Sequence, residues 1–113
     1  MNGNNLDARI LEKLFAIIES RRGADPASSY TARLLNKGRA KIAKKTGEEA
    51  VEVVVAALAE GRGELAAESA DLLYHLLVLW ASVGIKPSDV WAQIAKREGV
   101  SGLLEKAMRQ NEP

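Results

Sequence analysis

Residues 39–84 read RAKIAKKTGEEAVEVVVAALAEGRGELAAESADLLYHLLVLWASVG, and their reading decides the fold. Two long segments free of proline flank the short stretch Gly61-Arg62-Gly63. Apolar residues recur in each at helical spacing, and no period-2 alternation bounded by turn residues interrupts them. The spacing predicts one helix over about 39–60 and a second over about 64–83, stopped by Gly84. A short glycine connection makes them an antiparallel hairpin. Each helix carries acidic residues at its apolar stretch: Glu48, Glu49 and Glu52 on the first, Glu68 and Asp71 on the second. The apolar runs that follow, 53–59 and 72–81, read as buried core.

Residues three or four apart share a helix face. Lys41, Lys45, Glu48 and Glu52 therefore form one stripe, flanked by Lys44 and Glu49. Glu68, Asp71 and His75 share a face on the second helix. The hairpin brings the two acidic groups to comparable heights. Carboxylates are rarely buried without partners, because desolvating a charge is costly. Several converging on one place repel and call for a cation. All-oxygen donors suit hard ions, magnesium or manganese, and magnesium held by carboxylates commonly also holds substrate phosphates. The upstream lysines fit phosphate oxygens beyond such an ion. The competing reading is a solvated face with Lys45–Glu48 and Lys44–Glu48 pairs worth about 0.2–0.5 kcal/mol each. Against it, Glu68 and Asp71 run directly into mostly apolar sequence. His75 reads as an interior histidine hydrogen-bonded to Asp71. Phe15, Tyr74, Trp80 and Trp91 read as core or subunit-interface residues, and no aromatic is singled out as a platform for a base.

Outward from the hairpin, 6–22 has Ile10, Leu11, Leu14, Phe15 and Ile18 at helical spacing, with Gly23 as its stop. Residues 23–29 form a loop, and Ser28 or Ser29 caps a short helix to about Asn36. Residues 36–38 break it. Pro87-Ser88-Asp89 opens a further helix ending near Gly99, and 101–110 suits a last helical turn or two. The expectation is a single all-α domain over 1–113, with 1–5 and 111–113 flexible.

The 113 residues suffice for one domain with a modest core. A net charge of +1 gives no global case for nucleic acid or a membrane surface. The absence of cysteine removes disulfides and thiolate metal sites and fits a reducing cytoplasm. Residues 1–13 lack the basic-then-apolar pattern of a signal peptide. The longest apolar run is too short to span a bilayer. Both hairpin helices are apolar on more faces than one chain of this size covers, so a homodimer or larger homo-oligomer is expected.

The stretches SYTARLLNKGRAKIAKKTGEEAVEVVVAAL, ELAAESADLLYHLLVLW and GIKPSDVWAQIAKR resemble the phosphoribosyl-ATP pyrophosphatases of histidine biosynthesis. That is a branch of the all-α nucleotide pyrophosphohydrolase superfamily, which includes MazG-like enzymes and dimeric dUTPases. The resemblance spans roughly residues 11–97. The superfamily pattern E-E-x-x-E, a spacer, then E-x-x-D is met by Glu48, Glu49, Glu52, Glu68 and Asp71. SYTARLL and DLLYHLL resemble this branch more narrowly. The resemblance implies a helical bundle completed by homodimerisation, a magnesium requirement, and hydrolysis of 1-(5-phosphoribosyl)-ATP to 1-(5-phosphoribosyl)-AMP and pyrophosphate. Some members are fused to a cyclohydrolase; with 113 residues and no cysteine for that domain's zinc site, the stand-alone form is expected here.

Within that reaction Glu49, Glu52, Glu68 and Asp71 are the candidate metal ligands. Glu48 or Glu49 is the candidate acceptor of the water proton, with neither preferred. Lys41, Lys44 and Lys45 are candidate triphosphate contacts, and Arg33, Lys37 and Arg39 candidates for the second phosphoribosyl group. Two alternatives stand beside this reading: a MazG-like house-cleaning nucleoside triphosphate pyrophosphatase with the same metal site, and a non-catalytic helical dimerisation module.

Overall fold

The computed structural model describes residues 6–98. It holds α1 (Arg9–Ser20), α2 (Tyr30–Lys37), α3 (Arg39–Ala59), α4 (Arg62–Val83) and α5 (Pro87–Ala95), with no strand among the described residues. The protein is all-α, as its apolar spacing predicts. The expected terminal helix at 101–110 and the expected flexibility of 1–5 and 111–113 lie outside the described residues.

Local chemistry fixes each helix end. The Asp7 carboxylate accepts from the backbone N–H of Arg9 at 3.0 Å and from its guanidinium at 2.8 Å, which starts α1. The first helix is shorter than 6–22: Arg21 and Arg22 form a turn, and Gly23 takes φ 82°. Ser29 caps α2, its hydroxyl accepting from the Ala32 N–H at 3.1 Å. Gly38, at φ 90°, ends α2 and lets α3 begin at the next residue. An L side chain would be strained there. The Asp89 carboxylate accepts from the Lys86 N–H at 2.9 Å, with Pro87 in the first turn of α5.

The connection between the long helices is tighter than expected. Helix α4 starts at Arg62, not at Glu64, leaving Glu60 and Gly61 as the turn. Gly61 is extended, and its carbonyl accepts from the Leu65 N–H at 3.0 Å. Gly63 falls in the first turn, where N–H groups have no partner within the helix, so glycine there leaves the ladder intact.

Helices α3 and α4 pack along a seam. On α3, Ile42, Thr46, Glu49, Val53 and Ala56 recur at alternating steps of four and three, and all are buried or half-buried. On α4, Leu65, Glu68, Leu72, His75, Leu79 and Ser82 do the same. Such spacing keeps one face of each helix turned to its partner. The core lies where α3 begins and α4 ends. There α1 and α2 cover the hairpin, and Phe15, Ile18, Leu34, Ile42, Leu77, Val78 and Ala81 cluster. The Arg22 guanidinium donates to the Ala81 carbonyl at 2.6 Å, tying the end of α1 to the last turn of α4.

The other half of the hairpin has no such cover among the described residues. Of 53–59, expected to be core, Ala56 alone is buried; Val54, Val55 and Leu58 are exposed, Leu58 at 83%. Val51 and Leu73 are exposed beside them. The apolar pattern predicts burial, but no other helix among the described residues reaches that far along the hairpin to provide it. Ile10, assigned to the core stripe of α1, is likewise exposed.

Candidate functional site

Glu49, Glu68 and Asp71 converge where the covered half of the hairpin meets the bare half. One carboxylate oxygen from each lies within 4.8 Å of the others. The seam explains the convergence. Glu49 occupies an α4-facing position of α3 and Glu68 an α3-facing position of α4. Asp71, three residues on, sits one turn above. Glu49 and Glu68 are half-buried and Asp71 is exposed. None of the three forms an ion pair with a basic side chain among the described residues.

The electrostatics follow. Partial withdrawal from water raises the Glu68 pKa above the ordinary carboxylate value, and the charges of Asp71, Glu52, Glu49 and Glu60 raise it further. Glu60 was not among the residues the sequence singled out. It enters because the tight turn folds the end of α3 back toward the start of α4.

The expected set is partly assembled. Three of the four candidate ligands meet. Glu52 lies outside the trio, though near enough for its charge to bear on Glu68. Glu48 is exposed, and its carboxylate sits 3.9 Å from the Lys45 ammonium. That is one of the ordinary helix pairings anticipated as the competing reading, and exposed pairs of this kind contribute little. The competing reading therefore describes Glu48 but not Glu49, Glu68 or Asp71. Lys41 and Lys44 are exposed on the first half of α3 and Lys45 is half-buried. Arg33, Lys37 and Arg39 are exposed on α2 and at the start of α3, and the Arg33 Nε donates to the Pro26 carbonyl at 3.3 Å.

His75 does bond Asp71, but through the main chain: Nδ1 lies 2.8 Å from the Asp71 carbonyl oxygen. With the Nδ1 proton given to that carbonyl, Nε2 is left as an acceptor. It is enclosed without a partner, the residue being only 6% exposed. So His75 is satisfied at one nitrogen, not both. The Thr46 hydroxyl donates to the Ile42 carbonyl at 2.9 Å and lies 3.5 Å from the His75 carbonyl. The Tyr74 hydroxyl and Thr31 Oγ1 are 2.5 Å apart, and burial is the main cause raising the Tyr74 pKa. Thr31 and Thr46 were not predicted; the seam spacing, with Thr46 three residues before Glu49, is the signal that points to the second.

The donor set suits a hard divalent cation. It is all oxygen, it comes from two rigid helices, and its members repel until a positive charge joins them. Among the described residues no helix is long and apolar enough to cross a membrane.

Known proteins resemble this chain over most of its length. A family model described as phosphoribosyl-ATP pyrophosphohydrolase matches residues 11–98. A phosphoribosyl-ATP pyrophosphatase of Paramagnetospirillum magneticum is 61% identical over 103 residues, covering 91% of this chain and 94% of that protein. One of Azospirillum brasilense is 50% identical over 111 residues, 98% of this chain and 100% of that protein. One of Rhodospirillum rubrum is 59% identical over 101 residues, 89% of this chain and 86% of that protein.

Proposed function

The chain belongs to the phosphoribosyl-ATP pyrophosphohydrolase family, and on that premise we propose that it hydrolyses 1-(5-phosphoribosyl)-ATP to 1-(5-phosphoribosyl)-AMP and pyrophosphate in histidine biosynthesis. The observation that carries the proposal is the trio Glu49, Glu68 and Asp71, gathered from two helices with no basic side chain paired to it. It argues against the non-catalytic module, which has no use for uncompensated repulsion in its helix seam.

In this reading Glu49, Glu68 and Asp71, with Glu52 beside them, would hold magnesium, for which manganese is a chemical substitute. The ion would supply charge neutralisation on the leaving pyrophosphate and a more acidic water. The chain's own residues do the rest. Glu48 or Glu49 takes the proton of the attacking water; Glu49 lies in the trio, and Glu48 would first have to leave the Lys45 ammonium 3.9 Å away. Lys41, Lys44 and Lys45 offer ammonium groups to the triphosphate. Arg33, Lys37 and Arg39 receive the phosphate of the second ribose, which a plain nucleotide lacks. We further propose a homodimer or larger assembly in the cytoplasm.

Substrate comparison separates this enzyme from a house-cleaning triphosphatase. The wild type should favour phosphoribosyl-ATP over ATP in kcat/KM. Replacing Arg33 with alanine should lower that value for phosphoribosyl-ATP by about 1.5–3 kcal/mol, the worth of a charge-assisted phosphate contact, and leave ATP hydrolysis little changed. Equal losses on both substrates would restore the MazG-like reading.

A further inference from the structure

We infer that Tyr30 is the platform on which the purine ring of the nucleotide stacks. The inference rests on the nucleotide reading above and adds to it a specificity-determining residue. The chain has five aromatic residues, and the fold uses four of them internally. Phe15 is in the core. Trp80 and Trp91 meet edge to face at 6.2 Å, and the Trp91 indole N–H donates to Glu12 at 2.7 Å. Tyr74 is half-buried and bonded to Thr31.

Tyr30 alone is exposed, at 45%. One face of its ring lies against Tyr74, with centroids 6.3 Å apart and planes 23° from parallel. Its remaining ring contact among the described residues is the edge of His75 at 6.4 Å. No side chain of the described residues hydrogen-bonds its hydroxyl.

The exposed ring is also backed on one face. It opens α2 directly behind the Ser29 cap, and the ring behind it is pinned through Thr31, the next residue of α2. An exposed aromatic with a fixed backing loses little freedom when a planar partner stacks on it. Its position fits a nucleotide. His75, at its edge, bonds the Asp71 carbonyl, and Asp71 lies four residues along α4, about 6 Å at 1.5 Å per residue. The carboxylate trio and the Tyr30 ring are thus neighbours on one side of the hairpin. On α2, Arg33 and Lys37 follow Tyr30 at three and seven residues, on the same stripe. A nucleotide with its phosphates at the trio and its purine on Tyr30 directs the sugar phosphate attached to that purine toward Arg33 and Lys37.

The test compares the wild type with Tyr30→Ala and Tyr30→Trp, each checked for helicity by circular dichroism and for assembly by sedimentation. KM for phosphoribosyl-ATP is measured, with inhibition constants for adenosine monophosphate and for magnesium pyrophosphate. A lost base–aromatic stack should raise KM and the adenosine monophosphate constant about tenfold. The pyrophosphate constant should stay within about twofold, because that ligand has no base to stack. Tyr30→Trp should hold or improve on wild-type affinity. An unchanged KM in Tyr30→Ala, a parallel loss for pyrophosphate, or a tryptophan variant as weak as the alanine one would overturn the inference. A Tyr30→Ala protein lighter than the wild type in sedimentation would do the same, by assigning the ring to a subunit contact. If the wild type releases no pyrophosphate from phosphoribosyl-ATP, the proposed reaction fails, and calorimetric binding of adenosine monophosphate decides the stacking separately. A wild type that fails to bind it, or binds it no better than Tyr30→Ala, refutes the platform.

Discussion

Glu68 sits in the seam between α3 and α4 with four other carboxylates acting on it. Its folded pKa is raised, so the fold prefers its protonated form. That contribution is complete below the pKa of the unfolded chain and is lost as pH rises through the folded value. The Glu68 contribution to the stability of metal-free protein should therefore fall as pH climbs above the ordinary glutamate range. Glu68→Gln should flatten that dependence and raise the neutral-pH melting temperature in chelator. Thermal melts of both proteins across this range decide it. A glutamine variant that is less stable at neutral pH would make Glu68 a structural partner and not a repelled ligand.

At this scale the acidic site was legible because a helix has a fixed period. Glu49, Glu68 and Asp71 were named from spacing and family pattern and do converge. What spacing did not separate is Glu48 from Glu49. Adjacent residues differ by about 100° around a helix, and which one faces α4 depends on the seam register. The Asp71 main-chain bond of His75 was also out of reach, since spacing cannot tell a carboxylate acceptor from a carbonyl one.

At the scale of elements, helix ends were legible wherever one residue dictates them. Ser29 and the left-handed Gly38 and Gly84 lie where capping chemistry puts them. The α3–α4 turn was less so, because glycines on both sides of Arg62 offered two equivalent starts and the Gly61 carbonyl won. Helix α2 carries Tyr30 and Arg33 and is only eight residues long, too short to be stable alone. Its cap therefore matters. Ser29→Ala should cost about 1 kcal/mol of stability, read as a lower denaturant midpoint at unchanged slope. A loss within a few tenths of a kcal/mol would mean that packing against α3 and α4 fixes α2 without the cap.

Among the described residues the hairpin is covered unevenly. Helices α1 and α2 cover one half of the hairpin and leave Val51, Val54, Val55, Leu58 and Leu73 in water on the other. A contiguous apolar face of this kind marks an interaction surface. A second copy would supply an equivalent face, and a two-fold axis is the simplest way for a patch to cover itself. The sequence reads as core where the described residues leave the face exposed, because apolar spacing marks a face suited to burial and not what buries it. Sedimentation at micromolar concentration should give a dimer or larger, and Leu58→Lys should shift it toward monomer. A compact wild-type monomer would leave the face to some other partner.

Identifying the products of phosphoribosyl-ATP turnover ties this fold to the cleavage of one bond. The protein is incubated with phosphoribosyl-ATP and magnesium, and the phosphorus products are resolved by NMR. The account predicts pyrophosphate and 1-(5-phosphoribosyl)-AMP in equal amounts. Turnover should stop in chelator, return with magnesium or manganese, and fall about a hundredfold or more in Asp71→Asn. Orthophosphate with a diphosphate product, or turnover that survives both the chelator and the asparagine substitution, would contradict it.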